Sequence, residues 1–111
     1  ANHIWARVDG ANMNILRQGD DDGVTDASVD TGLDIVKNQL TRVEIDMTNI
    51  AAVQMRVDLG GGVGFQTAGA AIDLSNMAAG DHLQPLAVVG KASSTAEDQL
   101  LVDYFRVYDA R

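Results

Sequence analysis

The chain of 111 residues has no cysteine, one proline and only five aromatic residues. Without cysteine it can form no disulfide, no thiolate metal site and no cysteine nucleophile. It also lacks an apolar run of the roughly 18–20 residues that span a bilayer. The first residues, Ala1 to Ile4, show no basic segment followed by an apolar one, so no secretory signal is predicted. A start at Ala1 leaves two alternatives, a removed initiator methionine or a piece of a longer chain.

Positive charge is also scarce. Eight Lys and Arg residues face sixteen acidic ones, which gives a net charge of −8 and a pI of about 4.3. Such a surface repels phosphates, so neither nucleic acid nor a membrane is predicted as a partner. All the acidic residues are Asp except Glu44 and Glu97. Because Asp favours turns and Glu favours helices, this bias indicates a loop-rich β protein.

Alternation of apolar and polar residues is the clearest pattern that is present. It runs through residues 41–59 in two stretches around the short connector 48–51, which predicts an antiparallel hairpin. A second hairpin is predicted from the alternation of residues 4–9, the Asp9-Gly10 turn and the returning residues 13–17. Both stretches have the period of half-buried strands.

Other segments are predicted with less regular patterns. Residues 19–32 read as a polar loop, and residues 34–40 as either a helical turn or an irregular edge strand. Short strands are expected at Phe65, 71–74 and 86–89, before a closing strand at 100–108. About eight short strands with turns between them predict one domain over residues 1–111, an all-β antiparallel β-sandwich or jelly roll.

The closing strand is apolar on both faces. Leu100, Val102 and Tyr104 fall on one face, whereas Leu101 and Phe105 fall on the other. A two-layer sandwich buries only one face of a strand, so the second face is a candidate contact with another chain or with a further segment. The predicted interface residues are Trp5, Leu101, Tyr104, Phe105, Val107 and Tyr108.

Few residue patterns suggest catalysis or ligand binding, and each can also be explained by an ordinary structural role. Glu44 and Asp46 share a strand face, as glycosidase carboxylates do, but Thr48 stands where a third carboxylate would complete the trio of retaining jelly-roll glucanases. No catalytic residue is therefore predicted, and the protein is expected not to be an enzyme. His3 and His82 are isolated in the sequence, and the glycine-rich stretch 60–64 lacks the Lys-Ser/Thr of a phosphate-binding loop.

The acidic run Asp20-Asp21-Asp22 is the one candidate for a metal ion. Clustered carboxylates suit Ca²⁺, which takes six to eight oxygen ligands. The run does not fit an EF-hand loop, because Val29 stands where the bidentate Glu belongs. We therefore predict no metal and no cofactor, with a calcium site of another type as the alternative.

The closing residues Asp103-Tyr104-Phe105-Arg106-Val107-Tyr108 resemble the last strand of concanavalin A-like (laminin-G-like) jelly rolls. Residues 40–61 and 83–89 resemble the central antiparallel pair and the penultimate strand of that family. The likeness covers residues 40–111, although a full jelly roll of this kind is longer by about half. The resemblance implies a compact concanavalin A-like jelly roll of the type found in bacteriophage capsid decoration and fibre proteins.

The resemblance and the residues together lead to two hypotheses of function. In the first, the chain is a virion structural protein, located on the capsid surface or in a fibre. Its partners would be other copies of itself and neighbouring virion proteins such as the major capsid protein. In the second, it is a lectin-like module that binds surface glycans through either an exposed aromatic platform or a Ca²⁺-ordered loop, for which residues 19–32 are the candidate. The aromatic residues Trp5, Tyr104 and Tyr108 would then offer a surface on which sugar rings stack.

Overall fold

The computed structural model describes residues 2–8, 12–21, 24–25, 28–78, 80–81, 83, 102 and 106–107. The chain divides into two compact units, Ala1–Asp81 and His82–Arg111. Every helix and strand in the described residues lies in the first unit, whereas Leu83, Val102, Arg106 and Val107 of the second unit lie in neither. Over these residues, no helix has the length and apolar character needed to cross a membrane.

The first sheet is built around a long central strand. It comprises β1 (His3–Val8), β2 (Asn14–Asp21), β3 (Val24–Thr25) and β4 (Val29–Asp34). Strand β1 pairs antiparallel along one edge of β2, while β3 and β4 pair with different parts of its other edge. The predicted hairpin of residues 4–17 is confirmed, with Ala6 opposite Arg17.

The predicted polar loop at 19–32 is wrong in part. Strand β2 continues to Asp21, and both β3 and β4 lie in this stretch. Side chains of β4 bind the neighbouring strand, since Thr31 Oγ1 donates to the carbonyl of Ile15 at 2.7 Å and Asp30 accepts from Asn14 Nδ2 at 2.8 Å. Backbone pairing with β2 thus outweighs the polar composition of the segment.

Residues 35–40 form neither the predicted helical turn nor a strand. The amide of Gln39 donates to the carbonyl of Val36, and Asn38 adopts a φ of 64°. A left-handed residue at this position stops both helix and strand, because neither has positive φ. The segment is therefore a turn that leads into the second sheet.

The second sheet has three antiparallel strands. They are β5 (Arg42–Asp46), β6 (Gln54–Asp58) and β7 (Gln66–Thr67). The pairing of β5 with β6 confirms the hairpin predicted for residues 41–59. Its connector holds a 3₁₀ helix at Ile50–Ala52, which Asn49 caps by accepting the amide of Ala51 at 3.1 Å.

A hydrophobic core joins the two sheets of the first unit. Ile15 on β2 packs with Met55 and Val57 on β6, and all three are at most 1 % exposed. A neighbouring cluster is formed by Val53, Ile72 and Leu74, with Ile4 of β1 in contact with both clusters. The fold is thus all-β, with side chains from two antiparallel sheets meeting between them.

Strand β5 departs from the expected burial. Its apolar residues Val43 and Ile45 are 46 % and 37 % exposed, although their cross-strand partners Val57 and Met55 are buried. The sequence pattern places apolar side chains on one face correctly, but the core covers only the β6 part of that face. Alternation along one strand shows to which face its side chains point, but it does not show whether another part of the chain covers that face.

The remaining predicted strands have different outcomes. Strand β7 follows Phe65, and within 71–74 only Ile72 pairs, in an isolated bridge with Val53. Residues 86–89 lie outside the described residues. In the predicted closing strand, the described Val102, Arg106 and Val107 are not in a strand, and its other residues lie outside the described ones.

We expect Ile15→Ala to lower the free energy of unfolding by about 2–5 kcal/mol, because it removes the side chain that links the sheets and leaves a cavity. The matched control is Val63→Ala, since Val63 is 73 % exposed and its truncation should cost less than about 0.5 kcal/mol. Urea unfolding monitored by circular dichroism measures both. Equal midpoints for the two variants would contradict the described core.

Candidate functional site

The densest group of charged side chains lies on the outer face of the second sheet. It consists of Arg42, Glu44 and Asp46 on β5 together with Arg56 and Asp58 on β6, and we call it the charged face. Alternation places these side chains on the other face of the sheet from Val43, Met55 and Val57. The cross-strand register puts Arg42 opposite Asp58 and Glu44 opposite Arg56.

Arg56 lies between the two carboxylates that the sequence singled out. Its Nη1 is 2.5 Å from Glu44 Oε1, and its Nη2 is 3.5 Å from Asp46 Oδ2. Asp46 also accepts hydrogen bonds at Oδ1 from the hydroxyl and the amide of Thr48, at 2.7 Å and 3.0 Å. Both carboxylates are thus bound by donors of their own sheet.

These contacts do not set the pair up for acid and base catalysis. The hydroxyl and amide of Thr48, and then the charge of Arg56, lower the pKa of Asp46 below its ordinary value. A glycosidase needs the opposite for its general acid, a carboxyl whose pKa is raised so that it holds a proton near neutral pH. Thr48 stands at the position of the third carboxylate in the glucanase pattern, and in this structure it binds Asp46.

Asp58 holds the turn at the end of β6. It accepts the amide of Gly60 at 2.9 Å and pairs with Arg42, and these two contacts lower its pKa, the amide contributing more. Gly60 has a φ of 86°, and a Cβ there would lie within 3.2 Å of the carbonyl oxygen of Leu40. The glycine-rich stretch therefore serves a tight turn, whose first amide binds Asp58 instead of a phosphate.

The acidic run does not bring its described carboxylates to one point. Asp20 and Asp21 are adjacent on β2 and so point to opposite faces of the sheet, while Asp22 lies outside the described residues. Asp21 Oδ2 accepts the amide of Asn76 at 2.9 Å, and Asp20 Oδ2 is 4.0 Å from His3 Nδ1. Over the described part of the chain, no three acidic or histidine side chains cluster as metal ligands.

Two of the predicted interface residues, Trp5 and Val107, are among the described residues. Val107 is 74 % exposed. Trp5 is half-buried on β1, with the guanidinium of Arg7 over its ring at 5.1 Å from the centroid. The Arg7 guanidinium therefore occupies one of the two faces of the Trp5 ring on which a sugar could stack. The other predicted contact residues, Leu101, Tyr104, Phe105 and Tyr108, lie outside the described residues, as does His82.

Two polar residues with structural importance were missed by the sequence reasoning. Arg17 is only 9 % exposed and packs directly on Gly69, whose φ of 79° and missing side chain make room for it. Asp21 is also buried, and it joins β2 to a turn 55 residues away. The available signal for Arg17 was its strand alternation with Ile15, which places both on the core side.

Comparison of the chain with protein-family models, with curated proteins and with solved structures finds no match. The resemblance to concanavalin A-like domains therefore still depends on the short sequence motifs of residues 40–111.

The charged face predicts a pH-dependent stability. Because the pKa of Asp58 is lowered by folding, its stabilising effect is complete above the ordinary Asp value of about 3.9 and is lost as the pH falls through the lower folded value. We expect Asp58→Asn to flatten the decline of the urea midpoint between about pH 5 and pH 2. Parallel curves for the wild-type protein and the variant would contradict this assignment.

Because the side chains of Asp20 and Asp21 point to opposite faces of the sheet, we expect the thermal stability of the protein not to depend on calcium. We expect the melting temperature to differ by less than about 1 °C between buffers with millimolar Ca²⁺ and with EDTA, because an ion stabilises only a fold that binds it. Differential scanning fluorimetry measures this, with Mg²⁺ as the control cation. A rise of several degrees with Ca²⁺ alone would establish a calcium site.

Proposed function

We propose that this protein is a virion structural protein, a capsid decoration or fibre module that works by binding neighbouring subunits. In this proposal it is a compact concanavalin A-like jelly roll. Its neighbours are the major capsid protein and further copies of the chain, and it resides on the capsid surface or in a fibre. The support from the sequence is the closing motif 103–108.

Exposed apolar side chains at the closing segment are the observation that carries the proposal. Val102 is 46 % exposed and Val107 is 74 % exposed. Valine side chains so open to water favour burial against a partner, at roughly 25 cal/mol per Å² of apolar surface before the costs of association. A structural subunit gains its function from such burial.

Charge supports the same assignment. The net charge of −8 keeps a subunit soluble and repels non-specific partners while specific apolar contacts form. The charged face is internally paired, with Arg56 between Glu44 and Asp46 and with Arg42 bound to Asp58. Its charges are therefore satisfied within the sheet, and the proposal assigns binding to the apolar residues.

The experiment first establishes whether a coat-protein gene lies beside this gene, and then uses empty shells assembled from that coat protein. We expect the wild-type chain to sediment with the shells and Val107→Glu to bind about tenfold more weakly, because the variant places a charge in an apolar contact. Val63→Glu is a matched control, since Val63 is equally exposed and lies outside the closing segment. We expect it to bind within about twofold of the wild type.

Two results would contradict the proposal. One is the absence of a coat-protein gene beside this one together with no sedimentation on any shell tested. The other is equal binding by Val107→Glu and Val63→Glu, since this would show that the closing segment makes no contact.

A further inference from the structure

Arg17 of β2 is a buried cation whose neighbours on its face of the sheet are uncharged. It is only 9 % exposed. The register places Ala6 of β1 and Val29 of β4 directly opposite it, and directly opposed residues share a face of the sheet. Along β2, the alternate positions on this face are Ile15 and Gly19. None of these four neighbours has a polar side chain.

Gly69, which follows β7, closes on the guanidinium of Arg17. It has a φ of 79°, and a Cβ there would overlap Arg17 Nε and lie 3.0 Å from its Cδ. The missing side chain thus lets the backbone approach the charged group. The carbonyl oxygen of Gly69 accepts a hydrogen bond from Gln54 Nε2 at 3.2 Å. The contact with Gly69 therefore fills the space beside the charge without pairing it.

The charge of Arg17 has no counter-charge in the described part of the chain. Its Nε is buried and has no hydrogen-bond partner there, and none of the ion pairs described involves this residue. Asp21, the acidic residue of β2 on the same face, lies four positions away and accepts the amide of Asn76 instead. Arginine stays charged in proteins, so it cannot relieve its burial by losing a proton. Such a buried guanidinium favours an anion from outside the chain.

We propose that Arg17 binds a small oxyanion, a carboxylate or a phosphate, from solution. The planar guanidinium presents its N–H groups in pairs, and two oxygens of a carboxylate or a phosphate match their spacing. An exposure of 9 % leaves only a narrow approach, which favours a small anion over a large ligand. Arg17 belongs neither to the charged face nor to the closing segment, so the site is independent of the proposed function.

The affinity of this site is expected to be low. The net charge of −8 repels anions at long range, and one guanidinium offers few contacts to offset that repulsion. We expect a dissociation constant on the order of 1–10 mM. Because added salt screens the repulsion, sodium chloride must hold the ionic strength constant in every titration. Chloride suits this purpose, since a single atom cannot bridge two N–H groups as an oxyanion does.

The Nε–Hε signal of Arg17 in the NMR spectrum of the isotope-labelled, full-length protein reports binding directly. Sodium phosphate and sodium formate are each titrated to about 50 mM at constant pH. We expect a saturable shift of the Arg17 signal with at least one of the two anions, and about fivefold smaller shifts for the more exposed Arg42 and Arg56. Comparison of the two titrations shows whether phosphate or carboxylate is the preferred ligand.

Two variants test the same site through stability. An anion that binds only the folded state, at about ten times its dissociation constant, raises the folding equilibrium constant about tenfold. We expect this gain from the preferred anion in Arg7→Gln, a matched control at an exposed arginine of β1, and not in Arg17→Gln. Urea unfolding measures both. Because phosphate also stabilises proteins by its exclusion from their surface, the difference between the variants is the quantity that counts.

Three results would overturn the inference. The first is no saturable shift at Arg17 with either anion, which a guanidinium completed by water alone would give. The second is an equal shift at Arg42 and Arg56, because the anion then binds arginine without preference. The third is an equal gain in stability for both variants. If Arg17→Gln fails to fold, the titration of the wild-type protein decides the question, with the Arg17 signal assigned through its own bonds.

Discussion

Contact between Ile15 and the pair Met55 and Val57 joins the two sheets, and the rest of the described fold depends on it. With no disulfide and no metal cluster among the described residues, burial of apolar side chains is the main force that holds the first unit together. Ile4 extends this contact to the second cluster at Val53, Ile72 and Leu74. Val53, which precedes β6, and Met55 and Val57 within β6 are thus buried at alternate positions.

The two strands of the central hairpin have different roles because of their position relative to this core. Strand β6 lies over β2 and its apolar side chains are buried, whereas β5 extends past the core and leaves Val43 and Ile45 exposed. On the outer face the hairpin is polar and internally satisfied, with each arginine bound to a carboxylate across the strands. The same hairpin therefore stabilises the fold through β6 and leaves the apolar side chains of β5 exposed.

Apolar surface away from the core is consistent with a protein whose work is association. Exposed valines include Val43 on β5 and Val102 and Val107 near the end of the chain, and others, such as Val8, Val29, Val36 and Val63, are exposed elsewhere in the first unit. Among the described residues, no three acidic or histidine side chains cluster as metal ligands. In the proposed function, the acidic net charge discourages non-specific contacts, and burial against specific neighbours supplies the affinity. In a particle, many weak contacts of this type would add to a stable attachment.

Much of the candidate site could be predicted from sequence, because its hairpin is local. The alternation of residues 41–59 established which residues share a face, whereas the position of Arg56 opposite Glu44 depends on the register, which the structure shows. The buried contact of Arg17 with Gly69 could not be predicted, because it joins residues 52 positions apart whose approach no local pattern records. The strands at 24–25 and 29–34 were missed for a related reason. Their backbone pairs with β2, and this pairing outweighs the polar composition that predicts a loop.

The sequence by itself determined the all-β class, two hairpins and the absence of cysteine chemistry, because alternation and composition act within a few residues of each other. Only the tertiary structure decided which apolar faces are covered. Val57 and Val43 both belong to apolar–polar alternations and pair across the hairpin. Val57 is nevertheless buried against β2, whereas Val43 is exposed. Burial depends on what another part of the chain places above a strand, and that is a property of packing between sheets.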